Sequence, residues 1–340
     1  MVTKPVLCFG EVLLRFSPPG QNLLFQTPQL DVCFGGAEAN VAVALAQLGS
    51  RARMLSVLPA NALGHAAREE LRRRGVEVGA IAQQPGRMGL YFLFPGALRR
   101  ASEVLYDREG SAFAAADFQQ FDWSGELSSA AALHVSGITA ALGPGSAEAA
   151  IAVARAAVGA ELPVSFDCNF RAQLWSAWQG DAVRILRELI GCTTTLFADE
   201  RDVARVLDVP APAGDPLLRR RWAAQAAFER FPRLERVAST IRVVHDSARH
   251  ELGAVLFERT GGEYRAAPVA LTGIVDRIGA GDAFAGGLLH AQMAGVPPQQ
   301  AVEFALAAGS LKHAIRGDFL LATEATVAAT LRDDVRDVSR

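Results

Sequence analysis

The chain has 340 residues, of which 50% are hydrophobic and 21% charged, a composition typical of a soluble globular protein with one large α/β domain or two smaller ones. A formal net charge of −2 argues against nucleic-acid binding, and the lack of a long apolar run or a leader-like start predicts a cytoplasmic protein without membrane contact. The four cysteines form no C-x-x-C pair, which argues against a zinc or redox site built from thiols.

Short apolar segments alternate along the chain with longer segments of helical periodicity, a pattern typical of parallel strands joined by crossover helices. Strands are predicted at residues 6–9, 54–57, 132–135, 164–166, 195–198, 242–245 and 254–258. Helices are predicted at residues 38–48, 64–74, 146–158, 181–190, 217–231, 283–293, 299–315 and 325–331. The expected core is therefore an α/β sandwich.

Two stretches break this rhythm, at residues 13–32 and 89–106. The second contains two apolar strand-like segments, at residues 90–94 and 103–106, with no helical pattern between them. Together the two stretches predict a small sheet that covers a cleft. No linker between independent domains is visible, so we predict one domain over residues 1–340, with lid segments at about 11–34 and 88–110.

A carboxylate follows three small residues in the segment Gly279-Ala280-Gly281-Asp282, where the last long amphipathic helices begin. Backbone N–H groups at a helix N-terminus lack intrahelical partners and face the positive end of the helix dipole, so this turn can hold an anion. A carboxylate beside that anion can take a proton from an alcohol. The alternative is a glycine turn in which Asp282 only caps the helix, which is the usual role of an isolated motif of this kind.

Two glycine motifs together carry a family resemblance. Gly35-Gly36-Ala37-Glu38-Ala39-Asn40-Val41-Ala42 and the turn from Gly279 to Asp282 resemble, in order and spacing, the two signatures of the ribokinase-like (PfkB) carbohydrate kinases. The resemblance covers nearly the whole chain and implies a ribokinase-like three-layer α/β/α sandwich with a small β-sheet lid. It also implies that Asp282 is the general base for a sugar hydroxyl, while the N–H groups of Gly279, Ala280 and Gly281 stabilise the transferring phosphoryl group of ATP.

The same resemblance assigns a sugar site. Gly35 and Gly36 would let the sugar approach the backbone, and Asn40 would bind it, although a helix-opening asparagine can equally satisfy local backbone groups. Tyr106-Asp107-Arg108-Glu109-Gly110-Ser111-Ala112 resembles a segment of the 2-keto-3-deoxygluconate kinases in which tyrosine and arginine grip an acidic sugar. Arg108 as a solvated surface arginine is the alternative. Tyr91 would offer a hydroxyl to the substrate or pack as an aromatic ring.

A second arginine follows a predicted strand in the run Phe166-Asp167-Cys168-Asn169-Phe170-Arg171, which is similar to a D-x-N-x-R motif of those kinases. The resemblance implies that Asn169 and Arg171 face both the acidic sugar and the triphosphate. The alternative is an Asx turn at Asn169 and a local ion pair for Arg171. Two arginines at one cleft favour an acid over a neutral sugar.

The nucleotide side departs from the usual family pattern. Asp199-Glu200-Arg201-Asp202 stands where many relatives carry N-x-x-E, so Asp199 and Asp202 would either order the water shell of Mg²⁺ or cap a helix. A long loop at residues 244–254 replaces the usual glycine loop and predicts a strand-to-strand turn in which Ser247 or Gly253 contacts the nucleotide. A monovalent cation such as K⁺ is a family trait, with Asp276 as its carboxylate; the alternative is a structural cap or an ion pair with Arg277.

We therefore expect an ATP- and Mg²⁺-dependent kinase that converts 2-keto-3-deoxygluconate to its 6-phosphate, with a lid that closes over the sugar. The alternatives are a kinase for a neutral sugar (fructose or ribose) or for 5-dehydro-2-deoxygluconate, and a sugar-acid sensor without turnover. The exposed edges of a lid sheet favour a homodimer or a dimer-based assembly.

Overall fold

The computed structural model describes residues 4–98 and 100–331, so the ends of the predicted domain at 1 and 340 lie outside the described residues. The strands are β1 Val6–Phe9, β2 Leu13–Ser17, β3 Asp31–Gly35, β4 Ala52–Pro59, β5 Ile81–Gln84, β6 Gly89–Phe94, β7 Glu103–Asp107, β8 Ala132–Ser136, β9 Val164–Asp167, β10 Thr195–Phe197, β11 Arg236–Asp246, β12 Arg249–Glu258 and β13 Glu263–Thr272. The helices are α1 Ala37–Gln47, α2 Ala62–Arg73, α3 Trp123–Ser128, α4 Gly137–Ala140, α5 Pro144–Gly159, α6 Ala172–Ala177, α7 Ala182–Gly191, α8 Glu200–Leu207, α9 Pro216–Arg230, α10 Ala280–Met293, α11 Pro298–Lys312 and α12 Glu324–Thr330.

The central sheet has nine strands in the order β13-β12-β11-β10-β9-β8-β1-β4-β5. Neighbouring strands from β5 to β11 are parallel, as predicted, whereas β12 and β13 are antiparallel additions at one edge. The chain reverses at a tight hairpin in which Asp246 pairs with Arg249. Most of the loop predicted at 244–254 is therefore strand.

Consecutive residues of a strand point to opposite faces of the sheet, so β1, in which every residue is buried, is covered on both faces. In β1, Val6 and Cys8 pack with residues of α1, α10 and α11, whereas Leu7 and Phe9 pack with residues of α5, α7 and α9. Helices thus cover each face, which confirms the three-layer sandwich. No helix among residues 4–98 and 100–331 is long and apolar enough to cross a bilayer.

A second sheet has four strands in the order β3-β2-β6-β7, and it contains both stretches predicted as lid. β2 and β6 are parallel, and the two outer pairs are antiparallel. Leu13 packs with Tyr91 and Leu93 on one face, and Ile278 joins this cluster from the segment that leads into α10. The small sheet therefore lies against the turn that carries Asp282.

Candidate active site

The turn before α10 is built around Gly279. Its φ of 77° lies in the left-handed region that favours glycine, and a methyl group there would lie 2.0 Å from the backbone oxygen of Asp318. Ala280 donates its N–H to the carbonyl of Arg277 at 3.3 Å, so this group already has an acceptor within the turn. Gly281 faces open space, because a methyl group there would meet no protein atom within 4 Å. Gly281 is thus the point of the turn that a ligand can approach.

Asp282 lies in the first turn of α10, but Gly279 rather than Asp282 is the N-cap, and it makes no side-chain capping bond. The Asp282 carboxylate instead accepts a hydrogen bond from Asn40 Nδ2 of α1 at 2.6 Å. Burial raises the pKa of Asp282 to about 7, the Asn40 hydrogen bond opposes this rise, and the charges of Asp318 and Glu38 add to it. A carboxylate that titrates near neutrality suits a general base.

Replacing Asn40 by alanine is expected to move the acidic limb of the kcat/KM profile to higher pH. Asn40 stabilises the charged carboxylate, so its loss raises the pKa of Asp282 above about 7 and a larger fraction of the base is protonated at neutral pH. The profile would be measured from about pH 5.5 to 9. Asn61→Ala, at the N-cap of α2, is the matched control. An unchanged or lowered apparent pKa would show that Asn40 does not tune this base.

Asp167 ends β9, beside the site. Burial, together with the charges of Asp282 and Asp202, raises the pKa of Asp167 to about 8. Arg171 lies close enough to lower the pKa of both Asp167 and Asp282. Asn169 has φ 36°, a left-handed conformation, and its N–H donates to Asp167 Oδ1 at 3.0 Å. The Asx turn therefore belongs to Asp167, and the Asn169 side chain makes no such turn.

Arg108 is buried, 5% exposed, which rules out the solvated alternative. Its Nε donates to Glu11 Oε2 at 2.7 Å, and Ser111 Oγ donates to the other oxygen of Glu11. The Arg108 Nη1 is buried without a hydrogen-bond partner among the described residues. Tyr106 lies beside it, with the Arg108 Cζ atom 6.0 Å from the centre of the Tyr106 ring. Glu11 thus holds the Arg108 guanidinium in place, and the Nη1 group of Arg108 is still able to donate a hydrogen bond to a ligand.

Three substrate-site predictions change in character. The Tyr91 hydroxyl is not free for a substrate, because it donates a hydrogen bond to Asp318 Oδ2 at 2.6 Å. Tyr91 therefore does more than pack as an aromatic ring. A methyl group on Gly35 would lie 1.9 Å from that Asp318 oxygen, and one on Gly36 would lie 2.2 Å from the Glu11 carbonyl. Both glycines are therefore required by the protein's own atoms, whatever room they also leave for a sugar.

Asp276 does not pair with Arg277. Its Oδ2 accepts from Arg15 Nη2 at 2.5 Å and from the Gly317 N–H at 3.0 Å, and its Oδ1 accepts from the Ile278 N–H at 3.0 Å. Both carboxylate oxygens of Asp276 are thus engaged.

A cavity of about 640 Å³ opens on the other side of the turn. Predicted site residues on its wall are Asn169, Arg171, Asp199, Asp202, Ala280 and Gly281. Arg242, Arg277 and Arg201 also face it, and the first two have no ion pair with any residue that the structure describes. Although the Arg242 side chain is open to solvent through the cavity, surrounding protein lowers its pKa, and the charges of Arg277 and Arg201 lower it further. Several guanidinium groups around one cavity create a positive potential that favours an anion, so the cavity suits a polyphosphate.

The acidic pair beside this cavity caps α8. Asp199 accepts from the N–H groups of Arg201 and Asp202, and the Asp202 carboxylate accepts from the Asp199 N–H at 3.1 Å. Burial and the charge of Asp199 raise the pKa of Asp202 to about 6. Arg205 Nη1 lies 3.7 Å from the Asp202 carboxylate, and this arginine offsets only part of the unfavourable negative charge at the cavity wall.

Ser247 and Gly253 are not brought to the cavity. The Ser247 N–H, at the tip of the β11–β12 hairpin, donates to the carbonyl of Leu98 in the lid at 3.4 Å. Gly253 pairs with Ile241 inside the sheet. The hairpin reaches the cavity with Val244 and Leu252 instead, because strands extend where a loop was predicted.

Sequence reasoning missed Glu11, Arg15, Asp318, Arg242 and Arg277 as site residues. Two of these had a readable signal, since Glu11 stands two residues after the end of the buried strand β1 and Arg15 is a single charge inside the apolar strand β2. Asp318 had none, because its importance comes from three residues distant in sequence: Arg15 and Tyr91, which donate to its carboxylate, and Gly35, where a methyl group would clash with it.

A model of the pfkB family carbohydrate kinases matches residues 3–318. The 2-dehydro-3-deoxygalactonokinase of Haloferax volcanii is 34% identical, over 100% of both chains, and the 2-dehydro-3-deoxygluconokinase of Thermoproteus tenax is 28% identical over 92% of this chain and 89% of that protein. A crystal structure of 2-dehydro-3-deoxygluconokinase from Thermotoga maritima is 36% identical and covers 97% of this chain and 100% of that chain with a TM-score of 0.91.

Proposed function

Because the chain belongs to the pfkB family of carbohydrate kinases, we propose that its acceptor is a keto-deoxy sugar acid, 2-keto-3-deoxygluconate, which it phosphorylates to the 6-phosphate. The observation that carries this choice is the buried Arg108, held at Nε by Glu11 while its Nη1 has no partner among the described residues. A guanidinium fixed in this way is suited to a carboxylate. The names of the similar proteins point to the same substrate class.

The Arg108–Glu11 pair and Asp282 approach the same end of α1. The Glu11 carbonyl lies against Gly36, which immediately precedes α1, and Asn40 in the first turn of α1 binds Asp282. A small molecule at this end can therefore place a carboxylate near Arg108 and a hydroxyl near Asp282.

ATP, which the family uses, would supply the γ-phosphoryl group, with Mg²⁺ neutralising its phosphates. Asp282 accepts the proton of the acceptor hydroxyl as the oxygen forms its bond to the γ-phosphorus and the bond to ADP breaks. The N–H groups at the start of α10, where Gly281 leaves open space, stabilise the charge on the transferring oxygens. The proton then leaves Asp282 for solvent.

The side chains on the cavity wall are suited to the triphosphate of ATP and to Mg²⁺. Arg242, Arg277 and Arg201 suit a triphosphate, and the raised pKa of Asp202 marks a place where a cation is favoured. Among residues 4–98 and 100–331, no three His, Cys, Asp or Glu side chains are grouped so that they could hold a metal ion directly. Mg²⁺ would therefore be held mainly through phosphates and water, with Asp202 ordering that water.

A substrate panel tests the proposal. With ATP and Mg²⁺, we expect kcat/KM for keto-deoxy sugar acids to exceed that for fructose and ribose by at least about 10² fold, since a desolvated guanidinium left without its carboxylate is costly. ADP release would be measured by a coupled assay, with 2-keto-3-deoxygluconate, 2-keto-3-deoxygalactonate and 5-dehydro-2-deoxygluconate as the acids. Equal use of neutral sugars would contradict the acid assignment. Stoichiometric sugar binding without ADP would favour the sensor.

We also propose a cytoplasmic homodimer that pairs through the lid. The outer face of the four-stranded sheet exposes apolar side chains, with Val32 and Leu105 each 54% exposed. Apolar groups on an open sheet are a common feature of subunit contacts.

A further inference from the structure

The small sheet sends one charged side chain toward the catalytic turn. Arg15 of β2 is only 3% exposed, and its Nη1 and Nη2 lie 2.9 Å from Asp318 Oδ1 and 2.5 Å from Asp276 Oδ2. Asp276 binds the N–H of Ile278, and the Asp318 carbonyl lies against Gly279. Arg15 therefore joins the two segments that flank the turn.

A second buried cation stands beside these carboxylates. Lys312, at the end of α11, is fully buried (0% exposed), and its Nζ donates to the Ile315 carbonyl at 2.8 Å. Burial lowers the pKa of Lys312, and the charges of Asp276 and Asp318 oppose that shift. Two buried carboxylates thus face two buried side-chain cations, so the cluster is balanced in charge.

A free monovalent cation, expected from the family resemblance to bind at Asp276, does not fit this cluster. K⁺ needs several oxygen ligands in place of its water shell. Both oxygens of Asp276 already accept hydrogen bonds, from Arg15, Gly317 and Ile278. A metal ion there would also add a third positive charge beside Arg15 and Lys312, where the two carboxylates are already neutralised.

We propose that Arg15, supported by Lys312, takes the place of a monovalent metal ion in this chain. The fixed guanidinium holds Asp276 and Asp318, and through them the Gly279 turn and the position of Asp282. Arg15 is thus a positioning residue, and turnover does not depend on K⁺. The inference rests on kinase activity with whichever acceptor the protein uses, and not on the identity of the sugar acid.

The first test compares ions on the unaltered protein. With ATP and Mg²⁺ at constant ionic strength, we expect kcat to agree within about twofold between choline, Na⁺ and K⁺ salts, because no site for the ion is left. The melting temperature without substrates should likewise not differ between choline and K⁺. Activation by K⁺ of about tenfold or more, or a melting temperature raised specifically by K⁺, would overturn the proposal.

The second test removes the guanidinium. Arg15→Gln is expected to lower kcat by about 10- to 100-fold with little change in the KM for ATP, and guanidinium ion at low millimolar concentration, or K⁺, is expected to restore part of that loss. Arg87→Gln, which breaks the exposed lid pair with Asp107, is the matched control and should change neither quantity. An Arg15→Gln protein with unchanged kcat, or with a loss that neither ion restores, would contradict a cation-replacing role. Should this variant fail to fold, Arg15→Lys serves in its place, because lysine keeps the charge but cannot join both carboxylates as the guanidinium does. Its kcat is expected to fall by less than that of Arg15→Gln and to stay independent of K⁺, and activation of Arg15→Lys by K⁺ would contradict the proposal.

Discussion

Asp282→Asn is expected to lower kcat by roughly 10²- to 10⁴-fold, the largest effect of any single change in this site, because asparagine cannot accept the hydroxyl proton. The substitution keeps the shape of the side chain, and the new amide oxygen can still accept from Asn40 Nδ2, which lies 2.6 Å from the present carboxylate. The arginine-lined cavity is unaltered, so the affinity for ATP should be retained. Single-turnover rates and ATP titration would separate the two quantities, and an unchanged rate would remove Asp282 from the mechanism.

The same variant should be at least as stable as the unaltered protein at pH 8. An aspartate in an unfolded chain has a pKa near 4, whereas burial raises the pKa of folded Asp282 to about 7. The folded state therefore binds the proton more tightly, and its stability advantage is present below about pH 4 and is lost as the pH rises through about 7. Asp282→Asn removes that loss, so its melting temperature relative to the unaltered protein should be higher at pH 8 than at pH 4. A relative melting temperature that is lower at pH 8 would mean that the charged carboxylate stabilises the fold.

Arg108→Met is expected to lower kcat/KM for sugar acids by roughly 10²- to 10³-fold while changing that for neutral sugars by much less. The Arg108 guanidinium is buried and held in place, so little of its hydrogen-bonding strength is lost to side-chain freedom or to water. The measured quantity is the ratio of kcat/KM for 2-keto-3-deoxygluconate and fructose. This ratio does not depend on the fraction of protein that is folded. Equal losses on both sugars would assign Arg108 to the fold instead.

Stability must be controlled separately, because Arg108→Met leaves Glu11 as an unpaired buried charge. Removing one partner of a buried ion pair costs about 3–5 kcal/mol of unfolding free energy. The double variant Glu11→Gln with Arg108→Met removes both charges, so it should recover much of that stability while keeping the altered substrate ratio. Arg171→Ala is the matched comparison, since Arg171 is exposed on the wall of the arginine-lined cavity that we propose for ATP. It should raise the KM for ATP more than Arg108→Met does.

The repeating part of the fold was predictable, because parallel strands buried on both faces appear as short apolar runs between amphipathic helices. Strand β13 was missed, since Pro268 and alternating polar residues interrupt it; an edge strand tolerates proline because one row of its N–H groups needs no partner. The short helices α3, α4 and α6 were also missed, because four to six residues show no helical period.

Asp282, Asn40 and Arg171 were each chosen from a local motif, and the fold brings them close together, while their roles stay predictions. The side-chain partners of a motif residue were not predictable where those partners are distant in sequence. The Tyr91 hydroxyl donates a hydrogen bond to Asp318, and Asp276 pairs with Arg15, which lies 261 positions away. Such partners depend on how the small sheet packs against the α/β core, and local sequence patterns do not show how two sheets pack.

The glycines of the two signature motifs are constrained for different reasons, some by packing and one only by catalysis. The difference would become visible in a descendant of this chain that had lost catalysis. A methyl group added to Gly35, Gly36 or Gly279 would lie within 2.2 Å of an atom of Asp318 or Glu11. Such a descendant would have to retain Gly36 and Gly279, which meet backbone atoms, for as long as it folded in this way, and Gly35 for as long as it kept the Asp318 side chain. Gly281 has no neighbour within 4 Å and would be free to change. Among proteins that share this fold, the first three glycines therefore report descent, whereas Gly281 together with Asp282 reports whether phosphoryl transfer has been retained.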